Sequence, residues 1–127
     1  MKERQRAEMG REELDLIVNR DLLFDFYGEL LTEHQKRIFT EVVFDDYSIS
    51  EVARDEGISR QGVSDLIRRT QEQLESYETK LGLVGKFRKQ RRLAREITAQ
   101  AEAFREDERT ERIDRIIELS GKLSEEV

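Results

Sequence analysis

Two stretches of this sequence carry side chains whose types and spacing could do chemistry. In the first, polar residues alternate with Val63, Leu66 and Ile67 at the three- and four-residue spacing of a helix, so one face would be buried and the other left outside. The outward side chains include arginine, glutamine and serine, which can contact base edges and phosphates. The candidate residues are Ser59, Arg60, Gln61, Ser64, Asp65, Arg68 and Arg69.

The second stretch is the most basic part of the chain. Between residues 79 and 95 the sequence has seven Lys or Arg residues and no Asp or Glu. Such a segment can hold the phosphates of RNA or DNA by charge neutralisation and counterion release. It can equally be a solvated helix face whose partners are acidic residues elsewhere, and the sequence leaves both interpretations open. The candidate phosphate contacts are Lys86, Arg88, Lys89, Arg91 and Arg92.

The residue types give little support to catalysis or metal binding. The chain has no cysteine and one histidine, His34, and it has neither a glycine-rich phosphate loop nor the ligand spacing of a metal site. The adjacent carboxylates of Asp45 and Asp46 could hold Mg²⁺, but a turn is favoured because the spacing indicates no third oxygen ligand. We therefore expect no catalytic residue, no metal, no cofactor and no enzymatic activity.

The overall composition limits where an anion could bind. Charged residues make up 41% of the sequence, apolar residues 36%, and the net charge at pH 7 is −6. Any basic face must therefore be local. No apolar run reaches the length of about 18 residues that a membrane helix needs, and no apolar stretch follows the first residues. We expect no membrane span, no secretory signal and a cytoplasmic location.

The first candidate stretch belongs to a pair of short helices joined by a tight turn. Ser48 or Ser50 can cap a helix that Gly57 ends with a positive φ, Ile58 is expected to be a buried plug, and Ser59 can cap the second helix. This is the pattern of a helix-turn-helix over residues 48–69, whose second helix can enter the major groove of DNA. The first helix would bury residues Ile49, Val52 and Ala53.

Two residues fit this pattern poorly. Glu56 stands just before the turn, where an apolar residue is usual, and Gly62 lies inside the second helix, where it costs about 0.5–1 kcal/mol relative to alanine. The alternative to the motif is a plain helical hairpin with solvated charges.

The preceding segment predicts two more helices packed around the motif. Apolar residues recur at helical spacing over residues 14–31, which predicts a helix with a wide apolar face. Thr32 and Gln35 form a capping box that opens a second helix running to about Phe44. We expect an all-α, compact bundle of about five helices, with the helix-turn-helix domain over residues 14–85.

The last third of the chain predicts a helical extension over residues 86–127, basic at first and then amphipathic. Gly82 and Gly85 mark the break before it. A narrow apolar stripe of Ile113, Ile116 and Ile117, which can extend to Leu123, predicts an extended C-terminal helix that packs on the chain's own core or on a second copy. The second possibility predicts a homodimer.

Four short segments resemble a known family. They are residues 23–32 (LFDFYGELLT), 45–53 (DDYSISEVA), 58–63 (ISRQGV) and 67–70 (IRRT). Their order and spacing resemble the YlxM (p13-like) family of small bacterial helix-turn-helix proteins, over about residues 20–87. The middle segment is similar to region 4 of bacterial sigma factors, in the winged-helix-type superfamily. The resemblance implies an all-helical fold with Ser59, Arg60, Gln61, Ser64 and Arg68 on the exposed recognition face.

The resemblance also implies a function. Family members are assigned to the signal recognition particle pathway of protein targeting and are expected to regulate by binding nucleic acid. A sigma-like member would bind duplex DNA as a transcription regulator, whereas a targeting component would bind the particle's RNA. The alternative is a protein adaptor that binds the particle's GTPase or its complex with RNA.

Overall fold

The computed structural model describes residues 10–125, and all their regular secondary structure is helical. A 3₁₀ turn, Gly28–Leu30, follows the first helix, and a π-helical turn, Thr40–Phe44, continues the second. The all-α prediction is confirmed, with six α-helices in the described residues where about five were expected. The helices are α1 Arg11–Tyr27, α2 Glu33–Phe39, α3 Ile49–Glu56, α4 Arg60–Leu81, α5 Leu83–Asp107 and α6 Glu111–Glu125.

The chain divides into two compact units between Leu81 and Gly82. Gly82 has a φ of +65°, in the left-handed region that costs glycine least, and its backbone ends α4 and precedes α5. Gly85, the second glycine expected at the break, lies within α5. The division therefore falls four residues before the boundary at 85 drawn from the sequence.

The core of the first unit forms around α4, which packs against α1, α2 and α3. Buried aliphatic and aromatic side chains each stabilise such a core by roughly 1.5–3 kcal/mol. This packing holds the two helices of the motif on a rigid base. The residues buried in it include Leu23, Tyr27, Ile38, Phe39, Val52, Ala53, Val63, Thr70 and Leu74.

Only the second half of α1 is buried, which corrects the prediction of a wide apolar face along the whole segment. Its partners lie there: the ring of Phe24 stacks on that of Phe39 at 5.5 Å, and the buried Tyr27 hydroxyl donates a 2.6 Å hydrogen bond to Glu78 Oε1. In the first half of the helix Val18 is 46% exposed. Leu14, Phe26 and Leu30 are exposed as well.

The capping box predicted before α2 is confirmed. Thr32 Oγ1 accepts from the Gln35 amide N–H at 3.1 Å, while Gln35 Oε1 accepts from the Thr32 amide N–H at 3.0 Å. The two side chains satisfy two of the unpaired N–H groups at the helix start. The predicted end near Phe44 is also correct, because the π-helical turn carries the helical path to that residue.

The second unit is an antiparallel hairpin of α5 and α6. Arg112 of α6 donates to Gln100 Oε1 at 3.2 Å, and Arg115 donates to Glu96 Oε1 at 2.7 Å, so the two helices run in opposite directions. The extension is thus one long helix, α5, with a second helix folded back along it. Within residues 10–125 no helix is both long and apolar enough to cross a membrane.

The apolar stripe of the hairpin differs from the prediction. Ile117 is 65% exposed, whereas Leu119, which was not predicted, is 1% exposed. Leu93 of α5 is also buried. The polar pairs of Arg112 and Arg115 rotate α6 so that Leu119, four residues after Arg115, turns toward α5.

Candidate nucleic-acid interface

The first helix of the motif begins and ends as its sequence predicts. Ser48 Oγ accepts from the Glu51 amide N–H at 3.1 Å, so Ser48 rather than Ser50 caps α3. Val52 and Ala53 turn into the core, whereas Ile49 stays 37% exposed. Because α3 is only eight residues long, its cap and its buried face must both contribute to holding it in place.

The turn between the helices has the geometry of a helix-turn-helix. Gly57 ends α3 with a φ of +69°, and the Ile58 amide N–H donates to the Ala53 carbonyl at 3.1 Å. Ser59 then caps α4 by accepting from the Gly62 amide N–H at 2.9 Å. The left-handed glycine, the backbone bond across the turn and the serine cap together fix the direction in which α4 leaves the core.

Ile58 is not the buried plug that the sequence predicted, because it is 39% exposed. Its side chain instead lies beside Gly62: a Cβ on that glycine would be 3.8 Å from Ile58 Cδ1 and 3.2 Å from Ser59 Oγ. A larger residue at position 62 would therefore crowd the cap. This contact gives a structural reason for a glycine inside the helix.

The contacts of Glu56 explain why an acidic residue stands just before the turn. Its carboxylate accepts from Arg37 Nε at 3.1 Å and from Arg37 Nη2 at 3.0 Å, and His34 Nε2 lies 3.5 Å away. The Glu56 side chain is only 18% exposed. The ion pair ties the end of α3 to α2, where an apolar residue would otherwise pack.

The first turn of α4 places the predicted recognition residues outward. Arg60 and Gln61 are exposed, and Ser64 is half-buried beside them. Gln61 Nε2 donates to Asp65 Oδ1 at 3.0 Å, which orients the Gln61 amide along the helix. No side-chain hydrogen bond or ion pair of the described residues involves Arg60 or Arg69, so both guanidinium groups are available to a ligand.

Arg68 is held differently. Its guanidinium lies 3.6 Å from Asp65 Oδ1 and donates to Glu72 Oε1 at 3.2 Å. Asp65, one of the candidate nucleic-acid contacts, thus pairs with Arg68 in the free protein. Two carboxylates compensate the charge of Arg68, which lowers its attraction for a phosphate.

The basic residues of α5 are all exposed but do not share one face. Arg88, Arg91, Arg92 and Arg95 follow the spacing i, i+3, i+4, i+7, which places them on one side of the helix. The Arg91 guanidinium lies 5.6 Å from the centre of the Phe87 ring. Lys86 and Lys89 precede the buried Leu93 by seven and four residues, so they lie on the side that turns toward α6.

Arg95 is a basic residue of this face that the predicted set omits. The signal was present in the sequence as the four-arginine spacing, which a count of charge alone does not reveal. As for metal binding, no group of His, Asp and Glu side chains among residues 10–125 is arranged to hold an ion.

Comparisons with known proteins match most of the chain. The family model for helix-turn-helix proteins of the YlxM / p13-like type, UPF0122, matches residues 15–116, from α1 into α6. A UPF0122 protein of Listeria welshimeri is 48% identical over 80 residues, which are 63% of this chain and 73% of the relative. One from a Thermoanaerobacter species is 42% identical over 106 residues, 84% of this chain and 91% of the relative.

Proposed function

We propose that this chain, which belongs to the YlxM / p13-like family of helix-turn-helix proteins, is a non-enzymatic regulatory protein that binds nucleic acid through α3 and α4. The observation that carries the proposal is the exposed first turn of α4, with Arg60 and Gln61 set on a capped helix after a left-handed glycine. In helix-turn-helix proteins this turn of the second helix contacts base edges.

Each polar side chain of α4 has a role in the proposed complex. Arg60 is suited to the two acceptors of guanine and Gln61 to adenine, while Ser64 can contact either a base or the backbone. Arg69 contacts phosphate directly. Arg68 does so after leaving Asp65 and Glu72, and the positive charge of α5 adds further phosphate contacts.

The proposed target is either the RNA of the signal recognition particle or a duplex DNA through which the protein would regulate that pathway. The family resemblance favours the particle's RNA and a cytoplasmic location, and the likeness to sigma region 4 favours duplex DNA. The two differ in shape, because A-form RNA hides its base edges in a narrow groove whereas B-form DNA exposes them.

The test is a fluorescence anisotropy titration of the particle's RNA and of a mixed-sequence DNA duplex. Arg60→Ala should weaken binding of the correct target by about 1–3 kcal/mol, which is the usual value of one base contact. Arg11→Ala, at the exposed start of α1, is the matched control and should leave affinity unchanged. Equal affinities of wild type and Arg60→Ala would refute the proposed interface.

A protein adaptor is the second candidate, and the acidic second half of α4 favours it. Glu72 and Glu75 are exposed there, and both would repel a phosphate backbone. The adaptor would bind side chains on the surface of the particle's GTPase rather than the phosphate groups of a nucleic acid. Affinity that falls steeply with salt supports the nucleic-acid proposal, whereas GTPase binding that changes little with salt supports the adaptor.

We also propose that two copies pair through α6. Ile113 and Ile117, four residues apart, are both exposed on one side of that helix. Sedimentation equilibrium should give twice the monomer mass for the wild type, and Ile117→Ser should shift the protein toward monomer. A monomeric wild type at high concentration would exclude this pairing.

A further inference from the structure

We infer that α5 carries a separate, sequence-independent binding face for the phosphodiester backbone of nucleic acid. The face consists of Arg88, Arg91, Arg92 and Arg95 and is called here the arginine face. The inference rests on the proposed function, because it assumes a nucleic-acid ligand. It goes further by assigning base reading to α4 and most of the backbone contact to one side of α5.

The arginine face points away from the rest of the hairpin. Leu93 is buried, Glu96 bonds to Arg115, and Gln100 bonds to Arg112, so these residues define the side of α5 that packs on α6. The four arginines lie on the remaining sides of the helix and are exposed. A ligand can therefore reach them without disturbing the contacts between α5 and α6.

No carboxylate occurs in α5 between Leu83 and Arg95, the part of the helix that carries the arginine face, and Glu102 lies two turns beyond Arg95. Glu96, the nearest in sequence, follows Arg92 by four residues and would be its natural partner on a helix. Its Oε1 atom instead accepts from Arg115 Nη2 at 2.7 Å and from Nε at 3.1 Å. The hairpin thus engages the carboxylate of Glu96 in a bond to Arg115 of α6.

The shape of this surface suits a polymer backbone. A shallow depression beside Arg91 and Arg95 is lined by the small side chains of Ala94, Thr98 and Ala99, which leave room for a close approach, and Glu102 closes its far end. The arginines span two helical turns, about 10 Å, which is the length of about three phosphates along one strand. Guanidinium groups bind phosphate oxygens through two parallel N–H bonds, so each arginine can hold one phosphate.

A protein ligand fits this face less well. Protein interfaces centre on buried apolar and aromatic side chains, surrounded by a polar rim. Besides the two arginines, the depression is lined by alanine, threonine and Glu102, with no large apolar or aromatic side chain. The face offers charge without an apolar centre, which is the character of a phosphate-binding surface.

The test compares two pairs of substitutions in the full-length protein. Arg92→Gln/Arg95→Gln removes two charges from the arginine face, and Lys86→Gln/Lys89→Gln removes two from the same helix on the side toward α6. Affinity for two labelled DNA duplexes of equal length and unrelated sequence is measured between about 50 and 200 mM KCl. Far-ultraviolet circular dichroism confirms that both variants keep the helical content of the wild type.

The arginine pair should reduce the slope of log affinity against log salt by about two, and by the same amount for both duplexes, because each lost phosphate contact removes about 0.9. The lysine pair should reduce the slope by less than half as much. Equal reductions for the two pairs, or none for the arginine pair, would overturn the inference. The latter result would leave an acidic protein as the partner of this face.

The same titrations separate the two proposals. Arg60→Ala should change the preference between the two duplexes while leaving the effect of the arginine pair intact. If Arg60→Ala has no effect but the arginine pair still lowers the slope, the α4 interface fails and the arginine face stands. If only Arg60→Ala has an effect, the arginine face fails and the α4 interface stands. A wild-type protein that binds neither the two duplexes nor the particle's RNA would refute both.

Discussion

The two consecutive helices α4 and α5 both expose arginines, but they control the charge of those arginines in opposite ways. On α4, Arg68 lies between Asp65 and Glu72, and Gln61 is bonded to the same aspartate. On α5, from Leu83 to Arg95, no carboxylate occurs, and Glu96 is bonded to Arg115 of α6. Arg68 of α4 must leave two carboxylates before it can bind a phosphate, whereas Arg91, Arg92 and Arg95 of α5 form no ion pair with a carboxylate of the described residues.

This difference suggests how a protein of net charge −6 could bind the proposed polyanion. Long-range attraction depends on a local excess of positive charge, which α5 supplies. Discrimination depends on interactions that are made only with the correct partner, and the pairs on α4 must be broken for such contacts. A nucleic acid of the wrong base sequence would gain the backbone contacts of α5. It would not make the base contacts that offset the free energy lost when the pairs on α4 break.

The helices also differ in how firmly they are packed, and the largest expected effect tests this. Leu74 of α4 is 0% exposed and Leu93 of α5 is 8% exposed. Because α4 packs on three helices and α5 on one, Leu74→Ala should destabilise its unit by about 3–4 kcal/mol and Leu93→Ala its own by about 2 kcal/mol. Urea unfolding gives the two values.

Tyrosine fluorescence assigns each effect to a unit. All three tyrosines, Tyr27, Tyr47 and Tyr77, lie before Gly82, so their signal reports the first unit alone, whereas circular dichroism reports both. Leu74→Ala should move the tyrosine transition and Leu93→Ala should not. A tyrosine transition that moves equally in both variants would show that α4 and α5 unfold together, against the comparison.

A smaller effect is expected from removing a carboxylate that pairs with an arginine of α4. Glu72→Gln removes one of the two carboxylates that hold Arg68, so Arg68 should become available to phosphate. Nucleic-acid affinity should rise by about three- to tenfold and the salt slope should steepen by up to about one. The measurement is the anisotropy titration at several salt concentrations.

Glu75→Gln is the matched control for this prediction. It removes the same charge one turn further along α4, where the carboxylate accepts from Gln71 rather than from an arginine. Its effect on affinity should be smaller than that of Glu72→Gln. If the two variants bind equally well, general repulsion and not the pairing of Arg68 limits the affinity of α4.

The local backbone features of α4 could be predicted from the sequence, whereas the ion pairs that its charged side chains form could not. The cap at Ser59 and the left-handed Gly57 depend on neighbouring residues, and both are confirmed. The pairing of Arg68 with Asp65 and Glu72 also follows helical spacing, but the sequence offered other partners for Asp65. Which of several possible pairs forms depends on side-chain packing that spacing alone does not determine.

Contacts between distant segments were harder to predict. Ile58 was expected in the core, but the left-handed turn directs it onto Gly62. Ile117 was expected in the stripe that Leu119 occupies, because the rotation of α6 is set by polar bonds to α5 that an apolar pattern does not include. The bond from Arg115 to Glu96, on which the arginine face depends, is also a contact between distant segments that the apolar pattern does not predict.

The smallest expected effect is a difference between the two units in how their stability depends on pH. Arg112 donates to Asp107 and lowers the pKa of that carboxyl below 3.8, and Arg115 lowers the pKa of Glu118 below 4.5. A lowered pKa in the folded state contributes stability that is complete above those ordinary values and is lost as the pH falls through the lowered ones. Both groups belong to the hairpin, so acid should weaken it while the apolar core around α4 persists.

An acid titration followed by circular dichroism and by tyrosine fluorescence tests this order. Helical signal should begin to fall below about pH 4 while the tyrosine signal stays constant, and Asp107→Asn should make the loss of helix less dependent on pH. Coincident curves from the two probes would contradict independent loss of the hairpin.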